Sequence, residues 1–295
     1  MKQKFPKARN GLTASALIGL VMGFWTVSAS AQTDCTTANW TGGVTGTVTV
    51  GTQGATNRRF AGPCGARVQA NANNFLVDNT PTGETSYIAR FYAFLQNLNG
   101  PAIIFAGRDD SDDLVQVWYN FPTANDITLR VFPASGGPVD LTESNVGPGW
   151  HSIELVWAGS ANADIALSVN GLTDLVAPGV NTTGLTVAQA QLGILNGAEA
   201  GVTGSADFDD FDSRRTTRPG RLCRGLTVPE GTGTGQRAAL ALADVSAVFA
   251  EVSSFGVISA GGQPDFDRNG TVTLGDVSAI FSRVSNFQTS CELNR

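Results

Sequence analysis

Between Val44 and Arg214 apolar and polar residues alternate in short runs. The runs "SYIARFYAFL" (86–95), "AIIFAG" (102–107), "LVQVWYNF" (114–121), "ITLRVF" (127–132), "HSIELVW" (151–157), "DIALSVNGLTDLV" (164–176) and "AQLGIL" (190–195) are rich in β-branched and aromatic residues. Turn residues separate them, and a period of two means that one face of each run is apolar. Asn170-Gly171 lies between two alternating stretches and predicts a tight hairpin. No helical period competes here, so about ten strands are expected. The fold class is mainly β, an antiparallel jelly-roll sandwich over residues 32–214.

The pattern changes after residue 240. "LADVSAVFAEVSSF" (242–255) aligns without gaps on "LGDVSAIFSRVSNF" (274–287), with nine of fourteen positions identical. In both copies the apolar residues recur at helical spacing, which predicts two short amphipathic helices packed on each other. The intervening "SRRTTRPGRLCRG" carries Arg214, Arg215, Arg218, Arg221 and Arg224, and "PEGTGTG" follows it. That composition reads as a solvated linker over 215–239, or else as a docking patch for an anionic surface.

The second helix is preceded by "PDFDRNGTVTLGD". Counting from Asp265, oxygen-bearing residues fall at positions 1, 3, 5, 7, 9 and 12: Asp265, Asp267, Asn269, Thr271, Thr273 and Asp276. Gly270 stands at position 6, where the chain must turn sharply, and Val272 is an apolar anchor. Oxygen ligands with three formal negative charges suit a hard cation, Ca²⁺ first. The entry "VISAGGQP" cannot readily be a helix, so only the exiting helix is present. A calcium loop with an exiting helix, duplicated near the C-terminus, resembles a dockerin over roughly residues 240–286. That resemblance implies a cohesin-like scaffold as partner for the module 240–295. The first copy departs from the pattern: Asp244 keeps the closing acid, but Gly233, Gly235 and Arg237 stand where ligands are needed.

The N-terminus has a basic front (Lys2, Lys4, Lys7, Arg9), an apolar run from about Leu12 to Val27, and "ASA" at 29–31. This predicts a signal peptide, residues 1–31, and an exported protein, periplasmic or extracellular, with no membrane span after its removal. Without the segment's four basic residues, 15 basic face 25 acidic side chains, a net charge of −10. Such a balance argues against a nucleic-acid partner. Four cysteines in an exported chain read as two disulfides. Spacing allows three pairings; Cys35–Cys64 with Cys223–Cys291 keeps each bridge inside one domain.

"GWHSIELVW", "LSVNG", "QLGIL" and "DFDDFDSRR" follow in this order over residues 149–215 and together resemble the second half of a laminin G-like, concanavalin A-like sandwich. The resemblance implies binding of carbohydrate or an extracellular protein, with some glycan-cleaving relatives. The E-x-D-x-E strand motif of the β-glucanases sharing that fold is absent. No catalytic residue is assigned, and His151, the sole histidine, is expected to be a packing residue. "RDDSDDL" (108–114) is read as a hairpin turn, against a second calcium site. Along 114–121, Gln116, Trp118 and Asn120 share one face while Val115, Val117, Tyr119 and Phe121 share the other. An outward Trp flanked by amides suits stacking on a sugar ring and bonding its hydroxyls. Arg90, Tyr92, Thr128 and Arg130 are expected on polar faces of neighbouring strands. The sequence thus reads as a secreted, non-catalytic glycan- or ligand-binding protein with a calcium-held tether. The alternatives are a polysaccharide-acting hydrolase using Asp209 or Asp210, and a purely structural surface protein.

Overall fold

A computed structural model describes residues 35–51, 60, 64–120, 125–147, 149–171, 173–222, 240–253, 266 and 273–288. The expected signal segment, Cys223, Cys291, the linker beyond 222 and the ligands Asp265, Asp267, Asn269 and Thr271 lie outside the described residues. Strands run β1 Gly43–Thr45, β2 Val48–Gly51, β3 Gly65–Gln69, β4 Asn74–Asp78, β5 Ser86–Phe94, β6 Leu98–Asn99, β7 Ala102–Arg108 and β8 Asp113–Asn120. They continue with β9 Asp126–Val131, β10 Val139–Glu143, β11 Trp150–Ala158, β12 Ala163–Val169, β13 Leu175–Val180, β14 Gln189–Ile194 and β15 Thr203–Arg214. A single turn, α1 (Gly197–Ala200), precedes β15, and two helices, α2 (Leu242–Ser253) and α3 (Leu274–Ser285), lie in the C-terminal part. Among the described residues no helix is long and apolar enough to cross a membrane.

The strands form two antiparallel sheets, ordered β1-β4-β14-β7-β8-β9-β10 and β13-β12-β11-β5-β15-β3-β2, with β6 beside β15. Alternation decides what lies between them. Tyr87, Ala89, Phe91 and Ala93 of β5, Ile153, Leu155 and Trp157 of β11, and Val115, Val117 and Tyr119 of β8 all enter one buried core. Fully burying an aliphatic or aromatic side chain contributes on the order of 1.5–3 kcal/mol, so this layer dominates stability.

Register shifts in β7 and β15 break the alternation at places that matter for the core. In β7, Ile103 faces Trp118 and Phe105 faces Val117, so Ile104 is an extra residue and both Ile104 and Phe105 reach the core. In β15 the register shifts between Asp209 and Asp212, and Asp210 takes a left-handed backbone (φ 53°). Phe208 and Phe211 are three residues apart and would face opposite sides of a flat strand. The bulge lets Phe208 enter the core while Phe211 packs against it and against Trp40, 5.1 Å between ring centres.

The Asn-Gly hairpin differs from the expected two-residue turn. Asn170 and Gly171 both take positive φ (58° and 66°), as such a turn requires, yet β12 and β13 pair from Leu167↔Leu175. Other partners hold the intervening residues. Asn170 exchanges bonds with the Ser152 backbone, and Asp174 takes a fork from Arg218.

Residues 215–222, expected to open a linker, run over the outer face of the larger sheet. Ser86 Oγ donates to the Arg215 carbonyl (2.6 Å), Gly220 N donates to Glu154 Oε2 (2.6 Å), and Leu222 N donates to the Tyr92 hydroxyl (2.6 Å). Arg218 is shared between Glu154 and Asp174, Arg215 pairs with Glu84 at 3.3 Å, and Arg221 donates to the Asn170 carbonyl (2.6 Å). Before β3, Cys35 and Cys64 are bonded, Cα atoms 5.5 Å apart.

The C-terminal helices pack on each other through a separate cluster of Leu240, Val248, Phe266 and Ile280. Both begin with the same device. Asp244 accepts from Ala241 N (2.9 Å), and Asp276 accepts from Thr273 N (2.8 Å) in a full capping box. The duplicated positions also match in exposure: Leu242 and Leu274 are each 61% exposed, Phe249 and Phe281 51% and 52%.

Candidate functional site

The face predicted from alternation is present on β8. Val115, Val117 and Tyr119 are buried between the sheets, while Gln116, Trp118 and Asn120 point to the outer side of the smaller sheet. Antiparallel pairing extends that side into rows across three strands. Gln116 lies beside Arg130 and then Asp140; Trp118 lies beside Thr128 and then Thr142; Asn120 lies beside Asp126. All of these residues except Gln116 border a shallow groove of about 400 Å³.

Hydrogen bonds fix the groove's side chains. The Trp118 indole N–H donates to Gln116 Oε1 (2.8 Å), and the Gln116 amide donates to Asp113 (2.5 Å). Arg130 makes a two-point fork to Asp140 (2.9 and 2.8 Å) and lies over the Trp118 ring, 5.5 Å from its centre. The fork holds the Asp140 carboxyl below its ordinary range, chiefly through these hydrogen bonds. The Thr128 and Thr142 hydroxyls bond each other at 2.9 Å. Such a surface offers one aromatic wall, hydroxyls, an amide and carboxylates in fixed positions.

Of the four residues expected beside this strand, Thr128 and Arg130 are there. Arg90 and Tyr92 are not: β5 belongs to the other sheet, and both are buried, 4% and 1% exposed. Phe60 stacks on Tyr92 with ring centres 3.7 Å apart, and Arg90 Nη2 lies 3.8 Å from Asp212. Asp140 and Thr142 were missed. The short, Pro-flanked "VDLTE" of β10 alternates only weakly, though its Asp and Thr fall two apart on one face.

His151 is a packing residue, 3% exposed. Its Nε2 bonds the Gly147 carbonyl (3.1 Å), and the Asn170 amide donates to Nδ1 (3.2 Å), so the neutral ring is fully used. Burial pushes its pKa below the usual 6.5. "RDDSDDL" is a turn between β7 and β8, in which Asp109 accepts from the backbones of Ser111 (2.8 Å) and Asp112 (2.6 Å). Among the described residues no three Asp, Glu, His or Cys side chains gather as a metal site.

Asp209 accepts from Phe60 N (2.5 Å) and Asp210 N (2.8 Å). Both aspartates line a cavity of about 420 Å³ at the sandwich edge, with Trp40, Phe211 and Asp78.

Of the predicted calcium ligands, Thr273 and Asp276 are described. Asp276 is fully buried; Oδ1 accepts from Phe266 N (2.8 Å) and Oδ2 from Thr273 N. Phe266, between Asp265 and Asp267 in sequence, is part of the helix-pair core. The closing carboxylate is thus tied to the start of the loop.

No protein-family model matches this chain, and neither does any curated protein. Among solved structures, the binding domain of botulinum neurotoxin DC is 11% identical over 57% of this chain, with a TM-score of 0.39. This chain covers 42% of that protein's length. An endo-β-1,4-glucuronan lyase from the fungus Trichoderma reesei is 17% identical over 58% of this chain and 88% of its own, with a TM-score of 0.41. An alginate lyase from Pseudomonas aeruginosa is 14% identical over 55% of this chain and 87% of its own, also at 0.41. At such identities and scores, no property of these proteins is carried to this chain.

Proposed function

We propose that this is an exported, non-catalytic glycan-binding protein. Its binding face is the outer side of β8, β9 and β10, and its C-terminal helix pair is a calcium-held tether. The observation that carries the reading is the groove in which Trp118 stands beside Asn120, Thr128 and Thr142. An aromatic ring offers the apolar face of a sugar a surface, and the flanking groups match hydroxyls. The Cys35–Cys64 bond supports export to an oxidising compartment. The shared exposure of Leu242 with Leu274 and of Phe249 with Phe281 supports a docking role for the tail. A core alone does not require those side chains to repeat. A cohesin-like scaffold is the partner this reading implies.

The test is a glycan array with the wild-type chain and Trp118→Ala. The reading expects a binding signal that Trp118→Ala removes while the melting temperature stays within a few degrees. Equal binding by both proteins would sink it.

A hydrolase is the second reading, favoured by the cavity that Asp209 and Asp210 line. It expects product from a polysaccharide panel, abolished by Asp209→Asn or Asp210→Asn.

A further inference from the structure

We infer that the groove on β8, β9 and β10 takes neutral sugars and rejects acidic ones. This rests on the glycan-binding reading above and adds the class of ligand.

Charge decides it. The residues bordering the groove include two carboxylates, Asp126 and Asp140, and one cation, Arg130. Recognition of a uronate carboxylate or a sulfate needs a guanidinium edge or ammonium free to face it. Arg130 already spends Nε and Nη2 on the two oxygens of Asp140, and its plane is drawn over Trp118. An acidic sugar could take that fork only by displacing Asp140; at the remaining Nη1 side it would meet a charge that Asp140 already offsets, in a groove that Asp126 also borders. Arg108, the next cation along this side, is bound to Asp113 at 2.7 Å and to the Ser111 carbonyl. What remains bonds hydroxyls without asking for charge. The Asn120 amide donates and accepts, the Thr128–Thr142 pair keeps one hydroxyl proton and several lone pairs, and the carboxylates accept.

The rows also set a scale. Neighbouring strands lie about 4.8 Å apart, and same-face residues along one strand lie roughly 7 Å apart. One sugar ring on the groove therefore meets Trp118 and the threonine row together.

The experiment uses the full mature chain on immobilised polymers: mannan, xylan and a mixed-linkage β-glucan as neutral probes, polygalacturonate and heparin as acidic ones, and chitosan as cationic. At least one neutral polymer is expected to bind, with affinity changing less than twofold between low and high salt, since an uncharged ligand is not screened. Tighter binding of polygalacturonate or heparin than of every neutral polymer, or binding of chitosan alone, overturns the inference and leaves glycan binding standing. Silence from all six removes both. Asp140→Asn, which releases the guanidinium, is expected to raise polygalacturonate binding at least tenfold. An unchanged preference in that variant overturns the role given to the Arg130–Asp140 fork.

Discussion

Glu154 is held by Arg218, a partner 64 positions further along the chain. The carboxylate stands on the outer side of β11, only 4% exposed, and also accepts from Gly220 N. It therefore anchors the segment 215–222 at two points, while Asp174 steadies the other side of the same guanidinium. Removing one partner of a buried pair leaves a charge without its compensation, at about 3–5 kcal/mol. Arg218 keeps some solvent access, 22% of its side chain. Arg218→Ala is therefore expected to cost less, about 2–3 kcal/mol, read by urea unfolding. Limited proteolysis should then cut near residue 220 before the sandwich unfolds. Wild-type stability together with wild-type protease resistance would remove the strap from the account of stability.

His151 gives the sandwich a pH dependence with a definite sign. Its folded-state pKa lies below the unfolded value of 6.5 because burial disfavours the charged ring. Between those two values the unfolded chain binds more protons. This residue's contribution is therefore complete above 6.5 and shrinks as pH falls from there to the folded pKa. The gap in unfolding free energy between wild type and His151→Gln should narrow across that window and stay constant above it. A gap that widens on acidification would contradict the buried neutral ring.

How far the sequence reached depended on whether a signal was local. The alternation of β5, β8, β9, β11 and β12 was visible because each buries one face. The strands β1 and β2 were not, since their Thr- and Gly-rich runs pair at the sheet edges and bury little, and neither were β3 and β4, five residues each and buried at most positions without alternation. Alternation also says which side of a strand a residue occupies, but not which sheet the strand joins. Alternation puts Arg90 and Tyr92 off the core side, as the structure does, but β5 lies in the other sheet from Trp118. The strap looked like a linker because composition speaks for "SRRTTRPGRL", whereas its partners Tyr92, Glu154 and Asn170 are far away in sequence. For the groove, Gln116, Trp118 and Asn120 were legible, and so was Arg130 beside them. The fork to Asp140 needed the β9–β10 register.

The Cys35–Cys64 bond closes a separation of 29 residues. In the chain-entropy account that constraint on the unfolded state is worth roughly 3–4 kcal/mol. It also ties the segment bearing Trp40, which packs on Phe211, to the start of β3. A Cys35→Ser, Cys64→Ser double variant is expected to lose stability of that order. Its Trp40 fluorescence should shift red, toward solvent, before the global transition. Coincident transitions in wild type and variant would argue that Trp40 is held without the bond.

The two C-terminal helices allow capping to be separated from metal binding. Asp244 and Asp276 do the same local work, each accepting from the backbone N–H three residues earlier at a helix start. Loss of such a cap costs about 1 kcal/mol. Asp276 is also the proposed twelfth-position calcium ligand, whereas Asp244 follows a stretch without ligand chemistry. Asp244→Ala should therefore destabilise the tail by the same amount with calcium and with chelator, followed by far-UV circular dichroism. Asp276→Ala should cost at least as much in chelator, where it also leaves Phe266 N without its acceptor, and clearly more in calcium, where bound ion adds stability to the folded form by mass action. Asp265→Ala, which removes a proposed ligand, should be silent in chelator and destabilising in calcium. If Asp276→Ala and Asp244→Ala respond alike under both conditions, the recurring aspartate is a cap in both copies and the tail needs no ion.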